Sequence, residues 1–460
     1  MSIYTWQDFI AETDVSTAVA TAISRHKNSS DYKTAVSADN YDKMQNETIK
    51  NIVQKLYTDN GTTVEDFTVS NNKLCSNFFH RLNTQRCMYL LGNGISFTQH
   101  VEEVVEEDGT VTKTDTTKEK LGKGFDTALK DAAYNALIHK VSFGYWNVDK
   151  LHVFKYTEFV PLFDEESGAL RAGIRFWQLE VSKPMTAVLY EEDGYTKLRS
   201  EAGGGNFRVI EEKRKYVVYV SGSQVDSEEI VGEDNYGTLP IIPLWGSRLR
   251  QSTLIGMKEK IDAFDLIRSG FANDLTDCAQ IYWILENTMG MTSGDLARFR
   301  DRLKIHHMAV ADTANSSVTP YTQDIPYQAR KEFLDEIRNG IYEDFGALDV
   351  HTVAAGATND HIDAAYQPLD EEADDFEYQI LQFIEQLLNI VGIEDEPVFK
   401  RNRISNEREQ TEMILSASDY LDDETILKKL PFISVDEVSD ILARSDKEQA
   451  DRFATGVENE

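Results

Sequence analysis

Hydrophobic positions recur at helical spacing in several long tracts of the chain. In "NNKLCSNFFHRLNTQRCMYLL", residues 71–91, the apolar series Leu74, Phe78, Leu82, Cys87, Tyr89 and Leu90 predicts a helix with one buried face, and "GNG" at 92–94 supplies its stop. From 254 to 278 the residues Leu254, Met257, Ile261, Phe264, Ile267, Phe271, Leu275 and Cys278 alternate three- and four-residue steps. A helix of that extent would be roughly 37 Å long. A second long helix is expected to start near Asp324-Ile325-Pro326, with Tyr327, Leu334, Ile337, Ile341 and Phe345 on one side. Phe376, Ile380, Phe383, Ile384, Leu387, Leu388 and Val391 make one further stripe.

Between these tracts the period changes. The stretch from about 145 to 232 is strand-rich, with turn signals at "EESG", "EEDG", "EAGGG" and "VSGSQ", and "VEEVVEEDGTVTKTDT" predicts a polar hairpin around Asp108-Gly109. "IYWILEN" and "MAVAD" are strand candidates around a short basic helix, "SGDLARFRDRLKIHH". Residues 1–60 are mainly helical and polar and are expected at the periphery, and the chain ends in a charged helical region. The fold class is therefore α+β and multidomain, as a length of 460 residues also favours: an α+β first half, then two long helices flanking a small insert.

Charge narrows the function. With 47 basic and 79 acidic residues the formal net charge is −32, which argues against tight binding of nucleic acid through neutralised phosphates. Cys75, Cys87 and Cys278 form no CxxC, so neither a disulfide framework nor a zinc site is suggested, and a reducing cytoplasm fits. The N-terminus lacks a basic and then apolar leader, and no run of about 18 apolar residues occurs, so no membrane is expected.

Catalytic motifs are weak. "LGKGFDT" lacks the upstream glycine and the hydroxyl of a phosphate loop, and "LGNGISF" is better read as a helix stop than as a dinucleotide motif. His306-His307 suits capping or packing. Asp360, His361 and Asp363 could begin a metal-dependent hydrolase site, but neighbouring residues diverge on any regular element and no second ligand motif completes them. The expectation is therefore no catalytic residue, no metal and no cofactor. Arg298, Arg300, Arg302 and Lys304 form a basic cluster, with Arg298 and Arg302 on one helix face, suited to an acidic partner, DNA or a subunit contact.

The carboxylates give the strongest local signal. Residues 339–399 contain fifteen Asp and Glu and no Lys or Arg. Asp370, Glu371, Glu372, Asp374 and Asp375 fit an acidic helix start. The preceding run Ala354, Ala355, Gly356, Ala357, Thr358, Asn359, Asp360 and His361 is small and glycine-bearing, and suits a segment that moves.

In this order the elements resemble the portal, or connector, proteins of tailed bacteriophages, particularly those of long-tailed phages of Gram-positive hosts. "NNKLCSNFFHRLNTQRCMYLLGNGISF" is similar to that family's early helix and turn, "YTEFVPLFDEESG" to a strand and turn, and "LDDETILKKLPFI" to a C-terminal helix; Gly94 stands where proline is common and Leu421-Asp422 where a serine cap is usual. The resemblance spans about residues 40–445. It implies an α+β wing over 1–250 with a mobile N-terminal region, stem helices over 252–279 and 325–347, and a small α/β clip over 280–324. A tunnel loop over 348–368, a kinked tunnel helix over 369–400 and a helical crown over 401–460 complete the set.

The implied protein is a ring of twelve subunits at a capsid vertex. Double-stranded DNA would pass through it without sequence specificity. Its implied partners are further copies of itself, the terminase large subunit, a head-tail adaptor, and the major capsid and scaffolding proteins. The implied location is the virion, and the host cytoplasm during assembly. Residues 354–361 would lie near DNA, and the clip arginines would meet a partner or neighbouring subunit. Twelve copies of the 339–399 tract would bring roughly 180 carboxylates, and those facing the bore would repel phosphate within a Debye length of about 8 Å. The readings from other classes are the metal-dependent hydrolase and a different structural head or adaptor protein.

Overall fold

The strands expected between 145 and 232 fold chiefly as an antiparallel meander in the computed structural model. It describes residues 4–57, 62–67, 69–99, 101–105, 111–202, 206–221, 229–277, 282–286, 317–321, 327–352, 358–403, 407–416 and 422–430, with single positions between 292 and 299 and between 438 and 444. The described chain divides into two compact parts. One comprises Met1–Asp39, Arg81–Ile255 and Tyr342–Glu460, and the other Asn40–His80 and Gly256–Ile341.

In the first part the meander runs Phe207–Arg214, Gly194–Ala202, Pro184–Glu191, Leu170–Trp177, Phe159–Phe163 across one five-stranded sheet. Its apolar face (Val160, Leu162, Ile174, Phe176, Ala187, Leu189) is covered by Ala18, Val19, Ala22 and Ile23 of the helix Val15–Asn28. The N-terminal helices therefore do not lie at the periphery. Their buried face consists largely of alanines, which carry little hydrophobic signal yet let a helix approach a sheet closely.

A three-stranded sheet, ordered Ile241–Trp245, Val141–Asn147, Lys150–Lys155, supports the long helix Asn359–Val391. Ile242 and Leu244 of the sheet, Leu129, Ala133 and Leu137 of the helix Phe125–His139, and Phe376, Ile380, Phe383, Ile384 and Leu387 of the long helix share one core. The strand backbone comes very near the long helix at Gly144, where an added Cβ would lie 2.5 Å from the Phe383 ring. Gly392, in the left-handed region at φ 76°, ends the helix and donates its N–H to Leu388 at 2.8 Å.

In the second part the helices Lys258–Asp277 and Tyr327–Phe345 run antiparallel. Lys260 Nζ donates to the Gly340 carbonyl at 3.3 Å, Arg330 pairs with Asp274, and the Phe271 and Tyr327 rings lie 5.9 Å apart. Tyr282–Glu286 pairs with Ser317–Tyr321, so the first insert strand is where "IYWILEN" placed it, while "MAVAD" lies outside the described residues.

Two helix expectations need correction. The helix expected over 71–91 starts only at Phe78. The preceding segment is extended, because a polar stripe on the helix Lys258–Asp277 takes its backbone donors: Ser76 N–H to Asp265 at 2.8 Å, Leu74 N–H to Ser269 at 3.0 Å and Asn72 N–H to Asn273 at 2.6 Å. Four residues of helix rise about 6 Å and two residues of strand about 6.6 Å, so the two registers nearly match. That stripe lies on the helix's buried face, whereas Leu275 of the expected apolar stripe is exposed.

The second correction concerns the loop expected over 348–368. Residues 359–368 are helical and continuous with the helix that follows, despite Pro368. An interior proline costs about 3 kcal/mol. Burial of Ile362 and Tyr366 on one side of the break, and of Leu369, Phe376 and Ile380 on the other, outweighs that cost at about 1.5–3 kcal/mol per large side chain.

Candidate functional site

The long helix carries most of the residues singled out in the acidic tract. Thr358 stands at its N-cap, with the Thr358 carbonyl accepting from His361 N–H at 3.1 Å and Ile362 N–H at 3.0 Å. Asp360 and His361 point to solvent in its first turn, with Asn359 half-buried beside them. Ala354, Ala355, Gly356 and Ala357 lie outside the described residues, as do Arg300, Arg302 and Lys304. Arg298 is described and exposed, and makes an i,i+3 ion pair with Asp295 at 3.7 Å. Solvent screening leaves such a pair little strength.

Asp370, Glu371, Glu372, Asp374 and Asp375 sit in the helix interior rather than at its start, and three of them, Asp370, Glu372 and Asp374, meet arginines. Arg401 reaches Asp370 at 2.9 Å, Glu377 at 3.1 Å and also Asp374. Arg403 reaches Asp363 at 3.1 Å and pairs with Asp370, while its Nε donates to the Tyr89 hydroxyl at 2.8 Å. Tyr89 in turn donates to Asp370. Glu372 meets Arg86 at 3.0 Å. Asp375 accepts the Arg248 backbone N–H at 3.0 Å, and Glu371 the Gln367 amide at 3.3 Å. Five carboxylates (Asp363, Asp370, Glu372, Asp374, Glu377) thus face three guanidinium groups, a formal excess of two.

Local electrostatics follow from these contacts. Burial works against the charged form of Asp370, but hydrogen bonds from Arg403, Tyr89 and Arg401 outweigh it and hold the carboxyl below its usual range. Arg401 is pushed upward: its hydrogen bonds to Asp374, Glu377 and Asp370 exceed the opposing effect of burial. For Arg403 the hydrogen bond to Asp370 leads and the direction is the same. Arg86 is buried and shifted downward by desolvation, against the attraction of Glu372 and Asp375. It also donates to the Phe345 carbonyl and stacks over the Phe345 ring at 4.3 Å.

Arg86, Tyr89, Arg401 and Arg403 were missed by sequence reasoning. A signal for the last two existed, since "KRNR" at 400–403 follows directly on the residue where the acidic tract ends. The segment that carries them is fastened down. Pro397–Phe399 pairs with Ile95–Phe97, Asn402 N–H donates to the Tyr89 carbonyl at 2.8 Å, and Asp395 accepts from Gln99 N–H at 2.8 Å and from the Thr117 hydroxyl at 2.6 Å.

Hydrolytic metal chemistry finds no constellation here. Asp363 is engaged by Arg403, and among the described residues no three His, Cys, Asp or Glu side chains gather as ligands. Among the described residues, too, no helix is long and apolar enough to cross a membrane.

Residues 24–451 match the family "Phage portal protein, SPP1 Gp6-like", and the chain belongs to that family, which is structural rather than enzymatic. It is thus a component of a phage particle. Among curated relatives, the portal protein of Bacillus phage SPP1 is 24% identical over 428 residues, covering 84% of this chain and 78% of its own. The portal protein of Clostridium phage phiCD119 is 25% identical over 263 residues, covering 55% of this chain; the match spans 58% of that relative's length. Among solved structures, a chain from "Neck of empty GTA particle computed with C6 symmetry" aligns over 76% of this chain and 88% of its own, at 10% identity and a TM-score of 0.41.

Proposed function

We propose that the chain assembles with further copies of itself, twelve in all, into a ring at a capsid vertex. Double-stranded DNA is packaged, retained and later ejected through that ring, without sequence-specific contact. The observation that carries this reading is the family match over residues 24–451. The antiparallel pair Lys258–Asp277 and Tyr327–Phe345 serves as the stem, and the insert between them as the clip that docks the terminase large subunit and later the head-tail adaptor. Arg298, Arg300, Arg302 and Lys304 make partner or subunit contacts there. Major capsid and scaffolding proteins meet the ring during assembly in the host cytoplasm.

Residues 354–361 lie near the passing DNA, and the ring performs no chemistry of its own. A net charge of −32 on every subunit keeps phosphate from adhering, so the duplex slides rather than binds. Deleting residues 354–361 should leave rings intact in the electron microscope while lowering the yield of filled capsids in a packaging reaction. Unimpaired packaging by such rings would remove the segment from the mechanism.

A further inference from the structure

Pro368 breaks the hydrogen-bond ladder of the long helix, since it has no N–H to give to the carbonyl of residue 364. The ion pairs described above are distributed about that break. Asp363 lies five positions before the proline, and Asp370, Asp374 and Glu377 lie after it. Arg403 holds Asp363 and Asp370 together from one guanidinium group, while Arg401 holds only the acids on the far side. Tyr366 and Tyr89 stack at 5.6 Å beside them, and the Arg403 guanidinium lies 5.6 Å from the Tyr366 ring centroid. On another side, Gly346 at φ 63° passes so near that an added Cβ would lie 3.2 Å from the Pro368 carbonyl oxygen and 2.7 Å from Glu372.

We propose that Arg403, seated by Arg401 and Tyr89, is a splint across Pro368, and that residues 359–367 form an arm which separates from the rest of the helix when the splint is released. The chemistry fits such a role. A planar guanidinium can bond two carboxylates at once, which a lysine cannot do with the same geometry. Asp363 and Asp374 are largely exposed, so the clamp is open to competition by salt; without it the arm keeps two buried large apolar side chains, Ile362 and Tyr366, whereas the helix from Phe376 to Leu388 keeps six, which salt does not loosen. The inference does not depend on ring formation or on DNA.

Amide hydrogen exchange on the full chain tests it. In Arg403→Gln, exchange of residues 362–372 should rise on the order of tenfold, with residues 380–391 unchanged. Pro368→Ala restores a continuous ladder, so the double variant Arg403→Gln/Pro368→Ala should regain the protection. Should Arg403→Gln fold poorly, the unaltered protein in about 1 M NaCl, where the Debye length is about 3 Å, should show the same localised rise. Three results would overturn the splint: no change in 362–372 under either perturbation, a uniform rise extending to 391, or a double variant no better protected than Arg403→Gln alone.

Discussion

Gly144 sits in the middle strand of the three-stranded sheet, facing the Phe383 ring of the long helix. Replacing it with alanine pits two effects of opposite sign against each other. In a strand interior, glycine to alanine ordinarily stabilises by about 0.5–1 kcal/mol through the entropy of the unfolded chain. Here the new methyl would stand 2.5 and 2.7 Å from two Phe383 ring carbons and 3.0 Å from the Leu151 side chain. Phe383 and its neighbours are fully buried and have nowhere to retreat, so overpacking of about 1–3 kcal/mol should dominate. Spread over the roughly 330 residues of that part, an unfolding entropy of about 2.1 cal/mol/K per residue converts each kcal/mol into about 1.4 °C. Differential scanning fluorimetry of Gly144→Ala should therefore show a midpoint lower by about 1.5–4 °C.

The control is Phe383→Leu. On its own it should cost about 1 kcal/mol, and in its background Gly144→Ala should become neutral or stabilising, a coupling of at least about 1 kcal/mol. Additive losses, or a single Gly144→Ala variant that melts higher than the parent, would refute the claim that this contact seats the helix on the sheet.

Other outcomes follow from the same contacts. Arg86→Met keeps the packing but strands the Phe345 carbonyl and Glu372; because Glu372 is half exposed, a loss of about 2 kcal/mol is expected in thermal unfolding, below that of a fully buried pair. His26 is buried, donates from Nε2 to the Tyr156 carbonyl at 2.9 Å, and is pushed down to about 4 mainly by desolvation. The unfolded chain takes up this proton near pH 6.5 and the folded one only near 4, so stability should fall as pH drops through that window, and His26→Gln should flatten this part of the acid-unfolding profile. Asn273→Ala removes one acceptor from the stripe that fastens residues 72–76, and should raise exchange of the Asn72 amide several-fold, a loss of about 1 kcal/mol, without moving Ser76, which Asp265 still holds.

Periodicity disclosed the elements that bury large side chains, and concealed those that do not. The stripe Phe376, Ile380, Phe383, Ile384, Leu387, Leu388 and Val391 announced its helix because its members are bulky, and all but Val391 are fully buried. The Val15–Asn28 helix was read as peripheral because its core face is mostly alanine, and the segment before Phe78 was read as helix because the side chains that draw its backbone straight, Asp265, Ser269 and Asn273, lie some two hundred positions away in sequence. The loop expected to end at 368 is instead helical from Asn359, because a strongly packed helix can carry a proline in its interior. The acidic tract was legible as a charge asymmetry. The pairing of five of its acids with arginines was not, because Arg86 comes from another helix and Arg401 and Arg403 stand just beyond the window in which the acids were counted. The polar hairpin around Asp108-Gly109 was readable, and Val101–Val105 pairs with Val111–Asp115.

Ring formation is the central claim, and electron microscopy of the purified, full-length protein tests it most directly. Negatively stained particles should show, in end view, a closed ring of twelve subunits around a central hole, and class averages computed without imposed symmetry should reproduce that number. A population of monomers and dimers across a range of protein and salt concentrations, with no annular particles, would contradict it.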